Sequence, residues 1–314
     1  MTDRWTGAAL EARGLTKSFA GHLSLGRTPV LKGLDLTVHQ GEIYGFIGAN
    51  GAGKTTTIKI VTGLIRADAG RFELFGCPGR EPRARRRLGF LPEQPVFYAH
   101  LTGREFLDLH ARLLRLRASE RRREVDRRLD EVGMLSRAAM TLRRCSKGML
   151  QRIGIAQALL GDPDLLILDE PMSGLDPSGR RDIRDLILAQ RDRKATIFFS
   201  SHILSDAEVL CDRVGILREG RLALEGTLEE LLVQGDPTWE VAVSGIGHLG
   251  ECQGVQVSSR HGDRVLLRVH GEPSLAALLE HTRKAGGVLH SVMPYRYSLE
   301  ERFLDVVGSE ERPR

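Results

Sequence analysis

The chain has 314 residues, with 46 Lys and Arg against 41 Asp and Glu and a formal net charge of +5; basic and acidic residues interleave, which favours a solvated Arg-rich surface over a nucleic-acid or membrane-surface partner. Cys77, Cys145, Cys211 and Cys252 stand far apart with no C-x-x-C pair, so neither a zinc site nor a disulfide framework is expected and a reduced cytosolic compartment fits. No apolar run approaches the roughly 20 residues of a spanning helix, and Met1 to Leu10 lack a signal-peptide core, so any action at a membrane calls for a partner that supplies the membrane part.

Leu34, Leu36 and Val38 alternate as in a strand, a turn falls at Gln40-Gly41, and Ile43 to Ile47 form a short apolar strand that runs into a glycine loop. Thr55 to Leu64 reads as a helix and Gly70 to Phe75 as a further strand, the start of an α/β domain. Between about Pro95 and Gly161 the character changes to Arg/Glu-rich helical spacing, as at Leu107, His110, Leu113 and Leu114, then Val125, Leu129 and Val132. Leu165 to Leu168 and Ala195 to Phe199 suit strands of a parallel sheet buried on both faces, and a hairpin follows around Glu219-Gly220. A helix over Leu228 to Val233 ends at Gly235-Asp236-Pro237, a turn cluster that marks a boundary. Strands over Trp239–Val243, Arg264–Val269 and Val288–Val292, with helices over Ser274–Lys284 and Leu299–Val307, make a small α+β domain.

Gly48-Ala49-Asn50-Gly51-Ala52-Gly53-Lys54-Thr55 matches G-x-x-x-x-G-K-[ST], with a strand before it and a helix after. Its glycines let backbone N–H groups converge on phosphates at a helix N-terminus. Lys54, in a chain poor in lysine, would neutralise the β- and γ-phosphates of ATP, and the hydroxyl of Thr55, followed by Thr56, would bind Mg²⁺. Asp169 and Glu170 end the apolar run Leu165 to Leu168, at the strand terminus where open α/β sheets place ligands. Asp169 would help hold Mg²⁺, which leaves Glu170 free to accept a proton from water as general base. Alone, an Asp-Glu pair of this kind is an ordinary strand end; the upstream loop in the same chain gives it weight.

These segments, together with Cys145-Ser146-Lys147-Gly148-Met149-Leu150-Gln151-Arg152, Leu168-Asp169-Glu170-Pro171, Ser173-Gly174-Leu175-Asp176 and Ser200-Ser201-His202, resemble in order the nucleotide-binding subunits of ABC transporters over roughly Leu10 to Leu232. The resemblance implies an α/β fold: a phosphate-loop NTPase core with an antiparallel β subdomain and a helical insertion over about 95–161, occupying 8–234, and a small C-terminal α+β domain over 235–314. It implies that Ser146 and Gly148 cap the γ-phosphate bound by the opposite subunit. A Ser that opens a helix offers a hydroxyl, N–H groups and the positive dipole end to an anion; taken alone, Ser146 is an N-cap. His202 takes the γ-phosphate-sensing position, where an isolated histidine would otherwise be structural, and Ser173 to Asp176 take that of the dimer-contact loop. Phe19 corresponds to the aromatic that stacks on adenine, with core packing as the rival reading.

Two positions depart from the family pattern. The signature reads Cys-Ser-Lys-Gly-Met instead of Leu-Ser-Gly-Gly-Gln, and Glu93, with Gln94 beside it, stands where a metal-sensing glutamine is usual. Both variants, and the tail ending in Tyr297 to Leu304, resemble the exporter branch whose permease is a separate polypeptide and whose substrates are drugs, lipids or polysaccharides. The implied partners are a transmembrane permease and a second ATPase subunit, identical or paralogous, in a head-to-tail dimer peripheral to the cytoplasmic face of the inner membrane. A soluble ABC ATPase acting on ribosomes or nucleic acid is the alternative, but such relatives usually carry paired ATPase modules, a long coiled coil or zinc-binding cysteines, and this sequence has none of these.

Overall fold

A computed structural model describes residues 7–20, 26–232, 237–246, 253–295 and 298–301. The expected boundary at 234/235 and most of the expected last helix and tail motif lie outside the described residues. The chain divides into two compact units between Leu228 and Glu229.

In the first unit, β1 (Ala8–Ala20), β2 (Arg27–His39), β4 (Ala69–Leu74) and β5 (Cys77–Pro78) form an antiparallel sheet in the order β2-β1-β4-β5. The second sheet joins β3 (Ile43–Ile47), β6 (Leu88–Leu91), β7 (Leu165–Leu168), β8 (Thr196–Ser201), β9 (Arg213–Arg218) and β10 (Arg221–Thr227) in the order β10-β9-β3-β8-β7-β6. All its pairings are parallel except the β9–β10 hairpin. Every residue of β3, β7 and β8 is buried, as continuous apolar runs covered on both faces require. Leu10, Leu15, Leu34, Leu36, Tyr44, Phe46, Ile58, Leu74, Ile167 and Phe198 belong to one buried cluster, so the two sheets and the helix after the glycine loop share a core.

That helix, α1 (Lys54–Val61), is shorter than the sequence pattern predicts, because Gly63 adopts a left-handed φ just beyond its end. The helical segment contains α2 (Gly103–Leu113), α3 (Ala118–Glu131) and α4 (Lys147–Leu159). A reciprocal capping box starts α2: Glu105 N–H donates to the Thr102 hydroxyl, and Thr102 N–H donates to the Glu105 carboxylate. The three helices pack on one another, and α4 also packs on β6, which ties the insertion to the sheet edge. Arg128 of α3 is 1% exposed and is held by Glu124 at 2.8 Å, Glu131 at 2.9 Å and Asp162 at 2.5 Å. α5 (Pro177–Asp192) and α6 (Leu204–Leu210) connect β7 to β8 and β8 to β9. The division between the units falls at the start of α7 (Leu228–Leu232).

The second unit is an antiparallel sheet of β11 (Thr238–Ser244), β12 (Val255–His261), β13 (Arg264–His270) and β14 (Val288–Pro294) in the order β12-β13-β11-β14. α8 (Glu272–Lys284) packs on β13 and β14. Its core is Val241, Val243, Ile246, Val265, Leu267, Val269 and Leu278; alternate residues of β13, Val265, Leu267 and Val269, are the ones buried, the period expected of a sheet covered on one face.

Candidate functional site

The parallel register brings separate sequence segments to one edge. Ile47 pairs with Ser201 and Leu168 with Phe199, so the chain leaves the C-terminal ends of β3, β7 and β8 at nearly the same level. Gly48 N–H donates to the Ser201 carbonyl at 3.2 Å, which fixes the start of the glycine loop. A side chain at Gly48 would lie 2.5 Å from the Leu217 carbonyl oxygen, and Gly53 has a φ of +115°; both positions require glycine. Gly53 caps α1 without any side-chain acceptor, and the first turn carries no acidic residue, so the N–H groups there have no built-in anion.

A cavity of about 410 Å³ opens at this point. Asn50, Gly51, Gly53, Lys54, Thr55, Thr56, Glu93, Glu170, Ser173 and His202, all singled out from the sequence, line it, together with Val30. Lys54 is 5% exposed; its ammonium donates to the carbonyls of Gly48 at 2.7 Å and Ala49 at 3.3 Å. Glu170 Oε1 lies 3.2 Å from the same ammonium but accepts no well-directed hydrogen bond, a buried carboxylate oxygen held by charge alone. Glu170 Oε2 sits 2.8 Å from His202 Nδ1, where an Nδ1–H donates to the carboxylate. The Glu170 backbone has a φ of +50°, unusual for a residue with a side chain, immediately beyond β7. Strain of this kind, worth about 1–2 kcal/mol, persists where the surroundings enforce it.

Behind this layer Asp169 is 2% exposed. Its Oδ1 accepts from the Ser200 hydroxyl at 2.7 Å and the Thr55 hydroxyl at 3.3 Å. Burial raises the Asp169 pKa above the usual carboxylate range, the two hydroxyls pull it down, and the charges of Glu93 and Glu170 push it up again. Ser200, fully buried, also accepts the Glu170 N–H at 2.9 Å, so one hydroxyl positions both acids. Sequence alone assigns Ser200 no such function; the only local signal is a polar residue at the end of an apolar strand. Gln151 is a second such residue: its amide, 7% exposed, donates to the Pro171 carbonyl at 2.7 Å and ties α4 to the turn after Glu170.

Gly48, Ala49 and Ala52 form the loop's frame without lining the cavity. Phe19, Ser146 and Gly148 are not brought to it. Phe19 is 43% exposed on β1, paired across the ribbon with Thr28. Ser146 is exposed and caps α4 by accepting the Met149 N–H at 3.3 Å. Gly148 has open space where a Cβ would stand. Glu93, beyond β6, faces the cavity; Gln94 is not part of its wall.

The residues fit a bound nucleoside triphosphate with magnesium. A cation, uncapped helix N–H groups and glycine backbone converge at one end, and hard oxygens of Thr55 and Asp169 meet beside them. Among the described residues no group of three or more His, Cys, Asp and Glu could hold a metal. Phosphate and water would therefore complete the shell, the usual arrangement for Mg²⁺. Among the described residues no helix is long and apolar enough to cross a membrane.

Comparison with known proteins supplies an independent line. The ABC transporter family profile matches residues 31–173. The chain is 42% identical over 225 residues to the bacitracin transport ATP-binding protein BcrA of Bacillus licheniformis, covering 71% of each chain. It is 34% identical over 299 residues to the daunorubicin resistance ATP-binding protein DrrA3 of Streptomyces coeruleorubidus, covering 91% of this chain and 94% of that one. Among solved structures it is similar to an ATP-binding subunit of an ABC transporter, with a TM-score of 0.62 and 35% identity over 71% of this chain and 91% of that one.

Proposed function

The chain belongs to the ATP-binding subunits of ABC transporters, and on that premise we propose that it binds and hydrolyses MgATP in a head-to-tail dimer to drive export through a separate permease. The observation that carries the reading is the contact set Lys54–Glu170–His202 beside Thr55–Asp169–Ser200. It supports an anion-binding cation, a general base and a metal-binding pair at one cavity, with Lys54, Thr55, Glu170 and His202 in its lining and Asp169 behind them.

Lys54 and the backbone N–H groups of residues 50–56 bind the phosphates; phosphate entry exchanges one anionic partner of Lys54, Glu170, for another. Thr55, Asp169 and Glu93 are the residues that would hold magnesium, which would supply charge neutralisation for the β- and γ-phosphates. Freed from Lys54, Glu170 accepts a proton from the water that attacks the γ-phosphorus, the bond from that phosphorus to the β,γ-bridging oxygen breaks and ADP leaves, while His202 holds the other carboxylate oxygen in place. The exposed ring of Phe19 offers a face for adenine. Exposed Ser146 and half-buried Gly148, outside their own subunit's cavity, are the parts a partner subunit contributes. Residues 8–234 act as the ATPase domain and 235–314 as an accessory domain.

Relatives named for bacitracin transport and daunorubicin resistance support a drug, lipid or polysaccharide as cargo. Val96 and Tyr98, at 86% and 53% exposure, support docking of the permease at the helical segment. The assembly would thus lie on the cytoplasmic face of the membrane. Glu170→Gln tests the reading. It should keep ATP binding, slow turnover by about 10²–10⁴ and accumulate an ATP-dependent dimer, since the amide no longer repels phosphate. Gel filtration that shows only monomer with ATP would count against the assignment.

A further inference from the structure

A second concavity, of about 680 Å³, lies in the first unit between the end of α1, the start of β4 and the turn after β5. It shares no lining residue with the nucleotide cavity. Its size suits a small organic ligand. The floor is apolar, with Ile60, Ile65 and Phe72 in the wall, and the charged residues that line it are all arginines: Arg66, Arg71, Arg80 and Arg85. Arg71 sits at the rim, where it also borders a shallow depression with Glu11 and Glu73.

Glu11 pairs with Arg13, Glu73 borders Arg71 from the adjoining depression without an ion pair to it, and two other nearby carboxylates are committed elsewhere. Asp68 pairs with Lys17 and Arg27, each at 3.0 Å, and Glu81 pairs with Arg83. Among the described residues, none of the four pocket arginines has a carboxylate within the 4.0 Å of an ion pair. Arg85 is oriented by donation to the Gly79 carbonyl at 2.6 Å, with its guanidinium against Gly63. Cations gathered in a concavity without counter-charge repel one another and draw in an anion. Planar guanidinium groups favour phosphate or carboxylate, which they bind in a fork.

We propose that this pocket binds an amphipathic phosphate, a phosphate monoester whose head the arginines hold and whose hydrocarbon body covers the apolar floor. Such a head could come from a soluble metabolite or from an anionic lipid of the membrane this subunit serves. The proposal does not depend on ATP hydrolysis, so the two can fail separately.

The test titrates the full chain by calorimetry with octyl phosphate below its micelle concentration, with inorganic phosphate, and with neutral octyl glucoside. A parallel flotation assay uses phosphatidylcholine vesicles with and without phosphatidic acid. Octyl phosphate should bind about ten- to a hundredfold more tightly than inorganic phosphate, octyl glucoside should not bind, and saturating MgATP should not displace the ligand. The variant Arg66→Glu with Arg80→Glu should lose about the same factor, as expected for charge-assisted bonds, with ATP affinity unchanged as the check on folding. Binding of the monomer without the vesicles supports a soluble source, and binding of both supports a lipid. Octyl phosphate binding that survives the charge reversal, competition by ATP, or vesicle binding without monomer binding would each overturn the proposal.

Discussion

At the scale of single residues the site depends on side chains that touch no phosphate in the proposed reaction. Ser200 is the clearest: one buried hydroxyl donates to Asp169 and accepts from the Glu170 N–H. Ser200→Ala should leave a buried N–H unsatisfied, at about 1–3 kcal/mol, and remove a bond that favours the ionised form of Asp169. Since burial already raises that carboxyl, its pKa should rise further and the acid limb of the ATPase pH profile should move to higher pH. A profile that only scales down, with its limb unmoved, would reduce Ser200 to a packing residue. Lys54, Asp169 and Glu170 were legible in the sequence because motif spacing and strand-end position single them out, and His202 was legible only through the family resemblance. Ser200, Gln151 and Val30 were not, because their importance comes from neighbours brought together by β7, β8 and α4 and by β2 beside the loop, adjacency that no local pattern encodes.

At the scale of elements, legibility followed burial on both faces. β3 and β7 are continuous apolar runs and β8 holds one at Ile197 to Phe199, so they stand out, whereas β1 mixes charge with apolar residues along a half-exposed ribbon. β12 buries none of its residues and α5 buries only Ile183, Ile187 and Gln190, too few to set a period. β6 is four residues long and merges with the loop after it.

The β2–β3 turn carries a testable linkage. Glu42 is fully buried; it accepts from His39 N–H at 2.7 Å and faces Arg213 at 3.1 Å. Burial outweighs both partners and lifts its pKa from 4.5 to about 7. Below about pH 4.5 the folded and unfolded chains both hold the proton and the stabilising contribution is complete. As pH rises through about 7 the unfolded chain has released the proton that the folded chain retains, so stability falls, by roughly 3 kcal/mol in total. Glu42→Gln should remove this slope while Arg213 keeps Glu225 at 3.0 Å. The measurement is the difference in thermal midpoint between variant and wild type across that range; parallel curves would show that Glu42 ionises normally in the fold.

At the scale of the whole molecule, two features make separable predictions. The residues of the nucleotide cavity lie between Val30 and His202, and the compact unit that holds them ends at Leu228. A chain cut after Leu232 should therefore fold and bind ATP, and loss of soluble expression would show that the first unit needs the second.

The remaining question is whether one subunit holds a complete site. Lys54 lines the cavity, whereas Ser146 and Gly148 are outside it, so the two halves of the proposed machinery can be disabled independently. Lys54→Ala removes the phosphate-binding cation, and Ser146→Arg puts a bulky cation where a small hydroxyl is expected; either homodimer should be inactive. In a mixed dimer, one site combines both defects, while the other joins the intact loop of the Ser146→Arg subunit to the intact α4 start of the Lys54→Ala subunit. Mixing should restore part of the ATPase rate. A site complete within one subunit gives no rescue, because each chain then carries a defect in its own site. A linked dimer of wild type with the double mutant supplies the control: with shared sites, each of its two sites is half damaged and it stays inactive. If that control turns over ATP while the mixed single variants do not, each subunit works alone and the head-to-tail arrangement is wrong for this protein.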